Sequence, residues 1–149
     1  MNRLSGKVAV ITGGNAGIGE AIAMAFAREG ASVVITGRRQ GELDRVASEI
    51  MKEQSKAYAV AGSVTDESHV QEVTRRTMQQ FGRLDILVNN AGIGDFGKRL
   101  HEIDDATWAQ VLDVNLTGVF RMTRAVLPQM LKQGNGAIVN ISSIASLVG

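Results

Sequence analysis

The stretch VAVITGGNAGIGEAIAMAF, residues 8–26, constrains the fold more than any other part of the chain. A β-branched apolar run, Lys7–Thr12, ends in a cluster of glycines and passes directly into a segment of helical composition. Gly13, Gly17 and Gly19 fall where a turn must be tight, where backbone must approach a pyrophosphate, and where a helix must pack closely on a sheet. The helix that starts there offers free N–H groups and a partial positive charge to phosphates. Glycines also occur in plain turns, but here the strand before, the helix after and a second strand behind all match, which predicts a dinucleotide-binding unit.

Further short apolar runs follow at Ser32–Thr36, Ala57–Ala61, Asp85–Asn89 and Ala137–Ser142. Each is nearly continuous, the mark of strands covered on both faces. Between them, Leu43, Val46, Ala47, Ile50 and Met51 keep helical spacing, as do Val70, Val73, Thr77 and Phe81. Thr65 is expected to open the third helix, with Asp66 and Glu67 in its first turn and Gly82 at its end. A long helix is expected from about Asp105 to Lys132, kinked or frayed in its last turns by Pro128. This alternation predicts one domain, residues 1–149, of the α/β class: a doubly wound parallel sheet with helices on both faces and right-handed crossovers.

Composition excludes several functions. With 44% hydrophobic and 21% charged residues and no apolar run near membrane-spanning length, the chain reads as a soluble, cytoplasmic protein. It has no cysteine, hence no disulfide, thiolate nucleophile or cysteine-based zinc site, and His69 and His101 lack ligand spacing, so no metal is expected. A net charge of +1 without a basic stripe argues against nucleic acid as a partner.

The loop spacing Thr-Gly-x-x-x-Gly-x-Gly (Thr12–Gly19), NNAG at Asn89–Gly92, Asn115 within LDVNLTGVF, and IVNISS at the end of the fifth strand occur in this order. In these motifs the chain resembles the short-chain dehydrogenase/reductase family, and the motifs span essentially all of it. The resemblance implies a Rossmann-type sheet in the order 3-2-1-4-5, five strands of the usual seven. It also implies an NAD(P)(H)-dependent oxidoreductase that moves hydride between nicotinamide and a carbonyl or alcohol substrate.

The same resemblance assigns cofactor contacts to Thr12, Gly13, Asn15, Gly17, Ile18 and Gly19 in the loop, with Asn89, Ala91 and Gly92 lining the pocket beside the adenine ribose. Ser63 stands where the family carries an acid that meets the adenine amino group, and Val64 would pack on the ring. Cofactor choice can be read from charge. Gly37 occupies the position of the acid that bonds a ribose 2′-hydroxyl in NAD-selective sites, and Arg38 and Arg39 follow, so NADP(H) is favoured over NAD(H). Ala16, where some NADP-dependent relatives place a basic residue, weakens that preference.

Asn115 resembles the helix asparagine that holds a water for a proton relay, and Ser143 the serine that orients the substrate carbonyl. The family's proton donor is the tyrosine of a Tyr-x-x-x-Lys segment. Tyr58, the one tyrosine, is followed four residues later by Gly62, and cannot be that acid. The chain is therefore expected to be the cofactor-binding part of an enzyme with an incomplete active site, apparently truncated at its C-terminus and inactive alone. A non-catalytic dinucleotide-binding module or an inactive fragment is the alternative. A homodimer or homotetramer is implied for the complete protein, packed through the long helix. Trp108 and Phe120 suit either that interface or the core, with the core preferred, and Phe96 would supply one wall of the substrate site.

Overall fold

The computed structural model describes residues 2–94 and 97–143. Five strands, β1 (Val8–Thr12), β2 (Ser32–Gly37), β3 (Ala57–Ala61), β4 (Ile86–Asn89) and β5 (Ala137–Asn140), form one parallel sheet in the order β3-β2-β1-β4-β5. Around it lie α1 (Gly17–Arg28), α2 (Gln40–Lys52), α3 (Glu67–Phe81), α4 (Asp105–Leu112) and α5 (Gly118–Gln133). The strand order and the two-sided helical cover are those the sequence implies.

Side-chain alternation along the strands builds two separate cores. Ala9, Ile11, Val33 and Ile35 pack against Ala23 and Ala27 of α1 and Leu43, Val46 and Ile50 of α2. Val10, Val34, Val60 and Leu87 point the other way, onto Val70 and Val73 of α3 and Met122 and Val126 of α5. β1 is buried at every position, which explains its unbroken apolar run. β5 is an edge strand, as β3 is at the opposite end, and Val139 and Ile141 are exposed.

Local chemistry moves several boundaries. Asp85 does not join β4: its backbone N–H donates to Val8 O while its carboxylate accepts from Val8 N at 2.9 Å. β5 stops two residues short of Ser142, because the last rung, Ile141 N–H to Asn89 O, ends where β4 ends. The cap of α3 is Asp66 and not Thr65. The Asp66 carboxylate accepts from Ser68 N at 2.8 Å, whereas the Thr65 hydroxyl is bonded to that of Ser63. Gly82, at φ 71°, ends this helix as expected.

The long helix is interrupted by a π-helical turn, Asp113–Thr117, between α4 and α5. Pro128 does not fray its end: α5 runs on to Gln133, whose side-chain amide accepts from Leu84 N and donates to Leu84 O, fastening the last turn to the start of β4. Trp108 and Phe120 are not core residues, being 54% and 56% exposed. The face of α5 that meets the sheet carries Gly118, Met122, Ala125, Val126 and Met130, which places Phe120 on the far side. Among the described residues no helix is long and apolar enough to cross a membrane.

Asp85 is 3% exposed and holds Val8, Arg83 and Lys7 at once. Burial alone would raise its pKa; the Arg83 guanidinium, the Val8 N–H and Lys7 together outweigh that and hold it below the ordinary carboxylate value. A depressed folded-state pKa stabilises the fold above the unfolded value of about 3.9 and is lost as pH falls through the folded value. Asp85→Asn is expected to cost about 1–3 kcal/mol at neutral pH, and to flatten the fall in stability below about pH 4, by denaturant titration across pH.

Candidate functional site

The chain leaves β1 towards β2 on one side of the sheet and returns after β3 to form β4 on the other, so the crevice at the carboxyl ends lies between β1 and β4. Thr12 and Asn90 close its floor. The Thr12 hydroxyl accepts from Asn90 N (3.0 Å) and Ala91 N (2.9 Å) and donates to Val88 O (3.4 Å). The Asn90 carboxamide reaches back to Thr12 O (3.0 Å) and Gly13 O (3.3 Å). Gly13 adopts φ 67°, and a Cβ there would stand 2.9 Å from Asn90 Nδ2. A Cβ at Gly19 would collide with Gly13 O, so the helix can pack this closely on the loop only without one.

Above this floor opens a cavity of about 630 Å³ lined by Gly13, Asn15 and Ala16 of the loop and by Thr36, Gly37, Arg38 and Arg39 beyond β2. Gly62, Ser63, Val64 and Thr65 form another wall, and Asn90 to Ile93 with Gln110, Asp113 and Val114 complete it. Asn15 lies over Gly37, where any side chain at position 37 would overlap its carboxamide oxygen. Ser63 turns its hydroxyl to Thr65 Oγ1 (2.8 Å) and accepts from Thr65 N (3.2 Å), and Val64 packs into the core beneath.

The expected site residues divide. Gly13, Asn15, Arg38, Arg39, Ser63, Val64, Ala91 and Gly92 line the one cavity. Thr12 is buried beneath it, Gly17, Ile18 and Gly19 form the first turn of α1, and Ile18 is exposed. Asn89 does not line the cavity. It is 3% exposed and donates to Asn140 Oδ1 (2.9 Å) and Thr123 Oγ1 (3.3 Å), so the next residue, Asn90, takes the place expected of it. Ser143 is exposed just beyond the end of β5, and Phe96 lies outside the described residues.

Asn115 sits in the π-helical turn. Its carboxamide accepts from Ile93 N and donates to Ile93 O, both at 2.8 Å, so it grips the loop after β4 and not its own helix. A π-turn inserts an extra residue into the helical path, which re-aims the side chains it contains. Gln110 and Asp113, on this same path, were not anticipated as cavity residues. Nothing in a helical repeat marks the position at which a π-turn begins.

The cavity's charge is uneven. Arg38 and Arg39 are exposed at its rim, and neither pairs with a carboxylate among the described residues. Asp113 is held by Arg121 at 2.6 Å. At the start of α1 the capping position is taken by Ala16, which has no side-chain acceptor, so no side chain caps the first-turn N–H groups. The cleft thus presents uncapped helix N–H groups on one side and, on another, two guanidiniums unpaired among the described residues, and both are groups that bind anions. No cluster of metal-ligating residues occurs among the described residues.

Residues 7–149 match the family model described as short chain dehydrogenase. The chain belongs to the short-chain dehydrogenase family. It is similar to a 3-oxoacyl-acyl-carrier-protein reductase of Thermotoga maritima, 42% identical over 147 residues that cover 99% of this chain and 59% of the relative. Comparable similarity, 42% over 148 residues covering 99% and 58%, relates it to 2-(S)-hydroxypropyl-CoM dehydrogenase 3 of Xanthobacter autotrophicus. The chain thus spans less than two thirds of the length of these relatives. Among solved structures it resembles a metagenomic short-chain oxidoreductase in complex with NADP, with TM-score 0.90, 39% identity, and coverage of 96% and 65% of the two chains. In this member of the family the floor of the cleft rests on one hydroxyl. Thr12→Val keeps the shape but leaves the Asn90 and Ala91 N–H groups without their acceptor, and is expected to cost about 1–3 kcal/mol by chemical denaturation. Thr12→Ser should recover most of that loss.

Proposed function

We propose that the protein is an NADP(H)-dependent short-chain dehydrogenase/reductase that interconverts a carbonyl compound and its alcohol. The observation that carries this reading is the unpaired pair Arg38 and Arg39 at the rim of the cleft, beside a Gly37 that brings no carboxylate. A guanidinium offers charge-assisted, bidentate bonds to a 2′-phosphate, and the missing acid removes a repulsion. The loop backbone from Gly13 to Gly19 would hold the pyrophosphate, Ser63 and Val64 the adenine, and Ala91 and Gly92 the neighbouring ribose.

When bound, the nicotinamide gives or takes the hydride that reduces or oxidises the substrate carbon. Ser143 would then orient the carbonyl by hydrogen bonding. Asn115 has hydrogen-bonding capacity beyond its two bonds to Ile93, since a carboxamide offers two donors and two acceptor positions. It can therefore hold a water as well as the loop. Tyr58 is not a proton donor in this scheme: it lies on β3 and accepts from Arg76 at 3.2 Å. The protein is further proposed to associate through α4 and α5, where Trp108, Leu112, Leu116 and Phe120 recur four apart and are all exposed.

Fluorescence titration tests the cofactor assignment. NADPH is expected to bind at least about tenfold more tightly than NADH, a difference worth about 1.4 kcal/mol. Gly37→Asp should abolish that preference by repelling the phosphate and displacing Asn15; equal affinities in the unaltered protein would contradict the reading. Without a Tyr-x-x-x-Lys pair, residues 1–149 alone should show negligible carbonyl-dependent NADPH oxidation, because loss of a general acid costs about 10²–10⁴-fold in rate. Rapid turnover by this chain would show that another group donates the proton.

A further inference from the structure

His69 takes no part in the assignments above, yet it stands directly beneath the adenosine side of the cleft. It lies in the first turn of α3, the helix opened by the Asp66 cap, and is only 8% exposed. Its Nε2 shares a 2.7 Å hydrogen bond with the hydroxyl of Thr36, which is itself 1% exposed and immediately precedes Gly37 and Arg38. Its ring fills the space next to Gly62: a Cβ added there would overlap Nδ1 and Cγ and stand 2.5 Å from Cε1. Gly62 in turn donates its N–H to Gly37 O at 2.9 Å, and Ser63 follows it into the cavity wall. One imidazole therefore touches both arms of the cavity's rim, by a hydrogen bond to the end of β2 and by packing against the segment after β3.

We propose that His69 is a positioning residue for the adenosine 2′-phosphate half of the cofactor, fixing the Thr36–Arg38 arm against the Gly62–Val64 arm. The proposal rests on the reading of this cleft as an NADP(H) site. Three physical points support it. The ring is rigid and planar, so it sets the height of the Gly62 backbone more strictly than a flexible side chain would. The Thr36 hydroxyl is buried and its one hydrogen-bond partner among the described residues is His69, so its direction depends on that ring. Burial also lowers the imidazole pKa, with Asp66 and Glu72 opposing, which favours the uncharged ring in this packed seam. A histidine that merely filled the core would stabilise the fold without any preference for one half of the ligand.

Calorimetric titration with adenosine 2′,5′-bisphosphate, which carries only the adenosine half, distinguishes these roles. The unaltered protein, His69→Leu, His69→Gln and Thr36→Val are compared. His69→Leu and Thr36→Val, each removing one end of the hydrogen bond, should weaken binding about tenfold. His69→Gln retains a hydrogen-bonding group at similar reach and should stay within about threefold of the unaltered protein. Binding within about twofold of the unaltered protein in both His69→Leu and Thr36→Val would overturn the proposal, as would a glutamine variant as weak as the leucine one. If His69→Leu does not fold, Thr36→Val decides: a tenfold loss supports the role and unchanged affinity refutes it. Failure of the unaltered protein to bind the bisphosphate is a different result, since it would remove the cofactor assignment itself.

Discussion

The hydroxyl of Thr12 is the point on which the cleft depends. It stands at the end of the central strand and receives the two N–H groups that leave β4, while Asn90 returns two bonds to the carbonyls of Thr12 and Gly13. These four hydrogen bonds lock the glycine loop to the β4 exit at the place where the strand order reverses. Because the site is a gap between two chain segments, its width is set by what joins them at the base. The close packing of Gly19 on Gly13 O then fixes where α1 begins, and with it the direction of the helix N-terminus.

Charge is distributed to match this geometry. Arg3, Arg28, Arg45, Arg75, Arg76, Arg83, Arg121 and Arg124 all form ion pairs. Most of these pairs are exposed, and such contacts are each worth only about 0–1 kcal/mol, so they matter less for stability than for neutralising the surface. Arg38 and Arg39, at the rim of the cleft, form no ion pair among the described residues, and neither does Arg99 away from it. Positive charge left uncompensated beside a cavity focuses field into it and draws anions there. Arg38 and Arg39 place two such charges at the rim of this cavity, on a chain whose net charge is only +1.

Strand identity and order were legible because a buried parallel strand needs an apolar run and a glycine loop needs its neighbours. The contacts made across the fold were harder to read. Asn89 and Asn90 look alike in sequence, but alternation puts Asn89 on the face of Leu87, towards Thr123 of α5, and leaves Asn90 to reach the loop. Period-two reasoning could have separated them. Trp108 and Phe120 are aromatic and suit a core in sequence, whereas burial on α5 follows Gly118, Met122, Val126 and Met130. His69 and Asn115 each depend on a partner more than 20 residues away, Thr36 and Ile93, and Asn115 also on a π-turn that leaves no periodic trace.

The cleft at the carboxyl ends of the strands is the proposed binding site of a phosphorylated dinucleotide. Backbone amide NMR of the isotope-labelled protein, recorded as NADP⁺ is added, maps the contact surface directly. Saturable shifts at Gly13, Asn15, Gly37, Arg38, Ser63 and Ala91, with α2 and the start of β4 unmoved, are the predicted result. Shifts confined to another face, or none as the cofactor is raised to saturating levels, would contradict it.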